Sequence, residues 1–165
     1  MKKRIWLTAF LIILAGILIF VFLINITNKR NTVEKLLSQL EKALNHNDIE
    51  KIINLYPQYY QNEVSNWLEY ERLDTFYNNV VKQNGQIDIS IKYINNYNNK
   101  SYLKEIQEDI YNEYNLTLDI KEYQIIIIDI NNDSGSVQQG LSLQVIKIGD
   151  IFYLYDFGLE LLLLN

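Results

Sequence analysis

The chain has 165 residues, no cysteine, a single histidine and a formal net charge of −5. Without cysteine it can hold neither a disulfide framework nor a thiolate zinc or iron–sulfur centre, and one histidine excludes a multi-histidine metal site. Lys2, Lys3, Arg4, Lys29 and Arg30 flank an apolar run, so the rest of the chain carries about −10, ten basic residues against twenty acidic. An acidic domain of this kind lacks the basic face that nucleic acid requires, and an anionic lipid surface repels it.

Residues 5–26, IWLTAFLIILAGILIFVFLINI, contain no charge. At 1.5 Å per residue such a helix reaches about 33 Å, the thickness of a bilayer core. The run is longer than a cleaved leader's, and neither a small-x-small site nor a lipobox cysteine follows it. An uncleaved single span is therefore expected, with cleavage as the rival. The basic tail ahead of it places the N-terminus in the cytoplasm and the domain outside, by a narrow margin against Lys29, Arg30 and Lys35. The expected organisation is a cytoplasmic tail (1–4), a transmembrane anchor (5–26), a short tether (27–31) and an extracytoplasmic α+β domain (32–165). Gly16 stands alone in the span, so no small-xxx-small pairing motif is present.

Beyond the anchor, Asn31 with Glu34 forms a capping pattern, and Val33, Leu36, Leu37, Leu40 and Leu44 follow at helical spacing. Asn45-His46-Asn47 breaks this helix. Asn47 with Glu50 repeats the cap, Ile49, Ile52, Ile53 and Tyr56 make one face of a second helix, and Pro57 ends it. From residue 59 to 83 a rougher helical pattern predicts one long or two short helices, closed by Asn84-Gly85. The period then becomes two: Ile87, Ile89, Ile91 and Tyr93 alternate with Asp88, Ser90 and Lys92, a half-buried strand. Ser101 opens a helix with Leu103, Ile106, Ile110 and Tyr114 on one stripe. Three strands follow, over 116–130 (bent near Glu122), 137–148 and 151–157, joined by the turn residues Asn131 to Gly135 and Gly149-Asp150. Tight links make them antiparallel. The fold expected is helices packed on one face of a curved, four-stranded antiparallel sheet, cone-like in shape.

The candidates for chemistry are few. His46 lies in a polar turn and reads as an exposed turn residue. Asp129, Asn131 and Asp133 alternate as in a calcium loop, but the loop's central glycine and bidentate glutamate are missing. Glu105, Glu108, Asp109 and Glu113 read as the wet face of a helix. No nucleophile elbow and no phosphate-binding glycine loop is present, so neither a catalytic residue, a metal ligand nor a cofactor is expected. The thirteen tyrosines stand out. Tyr56, Tyr60, Trp67 and Tyr77 are the candidate lining of a pocket in the helical half, against the plainer reading of core and surface filling. Leu159 to Leu164 form an apolar terminus. It either extends the last strand or, through Leu161, Leu162, Leu163 and Leu164, meets a partner.

The element order, the opening helix pair broken at Asn45-His46-Asn47-Asp48, and the closing hairpin Lys147-Ile148-Gly149-Asp150-Ile151-Phe152-Tyr153-Leu154-Tyr155-Asp156-Phe157 resemble the nuclear-transport-factor-two-like (cystatin-like cone) superfamily. The resemblance covers about residues 31–157. It implies a bent sheet wrapped around N-terminal helices. Anchored versions of such cones resemble uncharacterised envelope proteins of Gram-positive bacteria and the bridging subunits of conjugation machines. Catalytic members use Asp, Tyr or His inside the cone, and no such residue maps here. The stretch after Gly158 departs from the family's usual ending.

The function these features imply is a non-enzymatic, membrane-tethered interaction or scaffold module that meets other membrane or envelope proteins. The alternative is a binding protein for a small apolar ligand or peptide held in the cone. An isomerase- or dehydratase-type enzyme is the third reading, and it would need a desolvated aspartate beside tyrosine hydroxyls.

Overall fold

The structure is a computed structural model and describes residues 30–68, 70–155 and 158–163. The anchor expected at 5–26 lies outside them; among the described residues no helix is long and apolar enough to cross a membrane. The order is α1 (Val33–Asn45), α2 (Ile49–Ile53), a 3-10 turn (Gln58–Tyr60), α3 (Gln61–Trp67), α4 (Tyr70–Phe76), β1 (Asp88–Asn96), α5 (Lys100–Tyr114), β2 (Ile120–Asn132), β3 (Gly135–Ile148), β4 (Ile151–Leu154) and α6 (Gly158–Leu163). A π-helical turn, Tyr77–Val81, and a last helical turn, Lys82–Asn84, continue α4. The chain is thus α+β, with helices on one antiparallel sheet of order β1-β2-β3-β4.

Side-chain caps start α1 and α2 one residue later than the sequence pattern predicts. Thr32, not Asn31, accepts from Lys35 N at the start of α1. Asp48, not Asn47, accepts from Lys51 N at α2. Asn47 instead takes a left-handed turn at φ 53°, which its short amide side chain tolerates. Asn99, two residues ahead of the expected Ser101, caps α5. Gly85 closes the helical half at φ +90°, and a Cβ there would lie 2.2 Å from Asp133 Oδ2, so both backbone and space demand glycine.

The sheet is covered on both sides, not on one. Along β2, Ile126, Ile128 and Ile130 face the main core with Leu141, Leu143 and Val145 of β3 and the buried stripe Leu36, Leu37, Leu40 and Leu44 of α1. Tyr123 and Ile146 point to the opposite face and meet Ile106 and Ile110 of α5. Regular pairing from Tyr123↔Ile146 to Ile128↔Leu141 keeps the two sets on opposite faces, because side chains alternate along a strand. The N-terminal helices therefore fill the inner face while α5 lies on the outer one. Bulges at Ile91/Tyr93 and Ile128/Ile130 bend the long strands, and the shift at Ile120/Glu122 falls at the bend the sequence predicts.

The terminal leucines form α6, not an extension of the last strand. Leu159, Leu162 and Leu163 are buried in the main core, and α6 packs against β3 and α4. Leu159, Leu162 and Leu163 repeat at three and four residues, the helical period, while the short run 161–164 reads equally as strand or as buried helix, and packing decides it. Leu162 and Leu163, two of the four candidate contact residues, are occupied within the domain. Leu164 and the side chain of Leu161 lie outside the described residues.

Both outer strands are capped near one end by the chain's own groups. The Ile87 amide donates to Asn45 Oδ1 (2.8 Å), Asn45 Nδ2 donates back to the Ile87 carbonyl (2.9 Å), and the Ile89 amide donates to Glu41 Oε2 (3.0 Å). On the far side, Phe152 N donates to the Arg30 carbonyl (2.7 Å) and Leu154 N to the Leu55 carbonyl (2.9 Å). Arg30, three residues ahead of α1, is thereby stitched to β4.

Candidate functional site

Three of the four pocket candidates, Tyr56, Trp67 and Tyr77, pack in or against the core. Tyr56 is fully buried, with its ring edge-on to Trp67 at 6.0 Å. Trp67 and Tyr77 are half-buried against the same core. The inner face of the sheet is filled by these side chains and by α1, and the largest aromatic there, Tyr56, is itself packing. Tyr60, the fourth, lines a cavity.

That cavity, of about 260 Å³, opens where the inner helical layer meets the outer helix α5. Tyr59, Tyr60 and Glu63 reach it from the 3-10 turn and the first turn of α3. Asp109, Ile110, Glu113 and Tyr114 reach it from the last two turns of α5, and Tyr155 from the residue after β4. The local reasons are simple. Pro57 sets the extended entry into the 3-10 turn, at φ −59° and ψ 145°, which puts two consecutive tyrosines on the surface of the helical half. On α5, Ile106 and Ile110 anchor the apolar stripe, so Asp109, Glu113 and Tyr114 flank it at helical spacing.

The cavity is aromatic and negative. The Tyr59 ring lies 4.9 Å from Tyr114 and 6.5 Å from Tyr60, both tilted. Tyr114 donates to Glu63 Oε1 at 2.5 Å, a charge-assisted bond that ties α5 to α3 across 51 residues of sequence. Three carboxylates and no basic side chain line the space. Burial, followed by the neighbouring Tyr155, Tyr60, Glu113 and Glu63, pushes the Tyr59 hydroxyl well above its ordinary range. Burial and the bond to Glu63 push Tyr114 up likewise, and burial with Asp109 and Glu113 raises Tyr155. Burial leads all three shifts and penalises a charge of either sign; the carboxylates Glu63, Asp109 and Glu113 add a field that opposes further negative charge and attracts positive charge. The Tyr59 hydroxyl oxygen is buried and has no hydrogen-bond partner in the structure. An orphaned buried hydroxyl of this kind leaves a polar interaction to be filled.

A second, apolar groove of about 340 Å³ adjoins the first and shares Tyr59 with it. Pro57, Leu116, Leu118, Ile148 and Tyr153 form its walls.

The remaining candidates lie elsewhere. His46 is exposed at the end of α1, with Nδ1 2.7 Å from the Lys42 carbonyl. Asp129 is bonded to the Gly140 amide (2.8 Å) and paired with Lys92 (3.3 Å), while Asn132 closes a turn by accepting from Ser134 N. Among the described residues no three histidines or carboxylates converge as metal ligands would. Glu105 and Glu108 are exposed on α5, and Glu108 pairs with Lys104 at 2.8 Å. The sequence reading treats Asp109 and Glu113 as one wet face with them. It passes over their flanking of Tyr114, the signal that marks α5 as one wall of a site.

Fold and site together define a small α+β domain, sheathed by helices on both faces of its sheet, with an acidic tyrosine pocket at the seam between layers. No protein-family model, no curated protein and no solved structure matches the chain.

Proposed function

We propose that the chain is a non-enzymatic, membrane-tethered interaction module outside the cytoplasm, and that its contact point is the acidic tyrosine pocket, which receives an alkylammonium group. The pocket carries this reading. Tyrosine faces attract an ammonium ion through the ring quadrupole, and carboxylates at the rim add Coulombic attraction. Its volume is below the range of about 300–1,000 Å³ for sites that enclose a whole small molecule, so it fits a head group with the remainder lying outside. The adjoining apolar groove supplies a bed for an aliphatic stem. A lysine side chain on a partner protein and a free amine share this chemistry. The anchor at 5–26 and the cone-like relationship belong to the same proposal, supported by the apolar span and by the order of elements.

Isomerase-type chemistry is less well supported. Asp109 and Glu113 are exposed, and the tyrosines beside them are poor acids, so the desolvated aspartate that such chemistry needs is not formed there. The apolar groove favours the second reading, a small apolar ligand or peptide.

Titration of the full chain in neutral detergent with n-butylammonium and with n-butanol separates the two. The expected result is saturable quenching of tyrosine fluorescence by butylammonium, weakened about tenfold or more in the variant Glu63→Gln/Asp109→Asn/Glu113→Gln, since each carboxylate contributes roughly 0.5–1 kcal/mol. Equal responses to amine and alcohol would sink the cation reading and favour the apolar one. Location is tested separately. Protease added to wall-stripped cells is expected to degrade the domain, and full protection would reverse the assigned orientation.

A further inference from the structure

A groove of about 560 Å³ lies between α1 and α2, and its character is opposite to that of the tyrosine pocket. Arg30, Lys42, His46 and Lys51 line it. Lys42 and the C-cap His46 stand one turn apart at the end of α1, Lys51 sits in the first turn of α2, and Arg30 lies three residues ahead of α1. Arg30 is held from three directions. Its carbonyl accepts from Phe152 N, its guanidinium donates to the Asn54 carbonyl at 2.7 Å, and the same group lies 4.6 Å over the Tyr153 ring. A guanidinium fixed in this way loses little freedom on meeting an anion and keeps further donors for it. Asp48 is bonded to Lys51 at 2.5 Å and offsets one charge. The named groups still sum to about +2 with His46 neutral, in a domain whose total is about −10.

The position of this groove gives the charge a use. Arg30 is four residues past Ile26, and four residues reach at most about 14 Å. The headgroup layer fills roughly 5–7 Å beyond the hydrocarbon core. The groove thus lies at most about 8 Å beyond the headgroups, within about one Debye length at physiological salt. At that range the nearest charges dominate and the distant acidic surface is screened.

We infer that the Arg30–Lys42–Lys51 groove binds the phosphate of an anionic lipid headgroup and so docks the α1–α2 face of the domain on the membrane. The inference rests on the tether reading, because the anchor brings Arg30 to the headgroups. A basic side chain near an anionic surface contributes about 1 kcal/mol, which is about fivefold in affinity per charge. The general repulsion expected of an acidic domain is thereby inverted at one face.

The test uses the full chain in nanodiscs of phosphatidylcholine alone and of phosphatidylcholine with phosphatidylglycerol, read by hydrogen exchange over residues 39–55. Slower exchange with phosphatidylglycerol, lost at high salt, is the expected result. Lys42→Gln, at an exposed position, is expected to weaken this protection about fivefold with the unfolding midpoint unchanged. Glu113→Gln, in the other cavity, is expected to leave it intact. Identical exchange in the two nanodiscs overturns the inference. Equal protection by inorganic phosphate in neutral detergent also overturns it, by making the groove a site for soluble anions. Co-elution with lipid is scored on its own. A chain that fails to enter either nanodisc refutes the tether and the docking together, whereas a chain that enters both and shows no protection refutes the docking alone.

Discussion

Leu162→Asp is expected to unfold the domain in the full chain. Leu162 is 3% exposed within the main core, between Leu159 and Leu163 of α6. Leu162→Ala alone is expected to cost about 2–5 kcal/mol, from lost transfer energy and the cavity left behind. An unpaired carboxylate adds several kcal/mol of desolvation, and the sum rivals the whole stability of a domain this size, about 5–15 kcal/mol. Urea unfolding followed by circular dichroism in mild detergent checks this. The outcome also decides between two roles for the terminal leucines. If they served a partner, Leu162→Asp would leave the midpoint unchanged and remove only the partner. A collapse of the midpoint makes α6 an integral part of the domain.

Tyr56→Ala is expected to remove about 3–5 kcal/mol, the range for deleting a fully buried ring. Its ring is enclosed by the main core and packed edge-on to Trp67, so truncation strips the contacts of both. For a domain of this size the melting midpoint is expected to fall by roughly 10 °C or more. Tyr56→Leu, which refills most of the volume, is expected to recover the larger part of the loss. Were Tyr56 the wall of an open ligand cavity, its truncation would change little in the absence of ligand. A small shift would therefore revive the inner-face pocket.

Much of the fold was legible because its signals are local and periodic. The stripe Leu36, Leu40, Leu44 marks α1, the alternation through Ile87, Ile89 and Ile91 marks β1, and Gly85 and Gly149 mark chain reversals. What escaped depends on distance in sequence. The same stripe on α5, Ile106 and Ile110, fits either face of the sheet, and only the pairing of Tyr123 with Ile146 places it outside. The pocket escaped for the same reason. Tyr114 reads as one more residue of the apolar stripe of its helix, and nothing short of tertiary structure brings Glu63 to it. Tyr56 and Trp67 were singled out by residue type, yet aromatic type alone does not distinguish a ligand wall from packing. The apolar run 5–26, from which an anchor is expected, is the reverse case: plain in composition and outside the described residues.

The capped outer strands have a consequence for many copies of the chain together. At the high local density that the proposed tether imposes, domains collide often. A bare strand would template the next copy, amide against carbonyl, and grow into a cross-β stack. Glu41 and Asn45 occupy the start of one such template, and Arg30 and Leu55 occupy the other. At those positions a second copy finds no open amide or carbonyl to pair with, which removes part of the template that crowding under the proposed tether would otherwise expose.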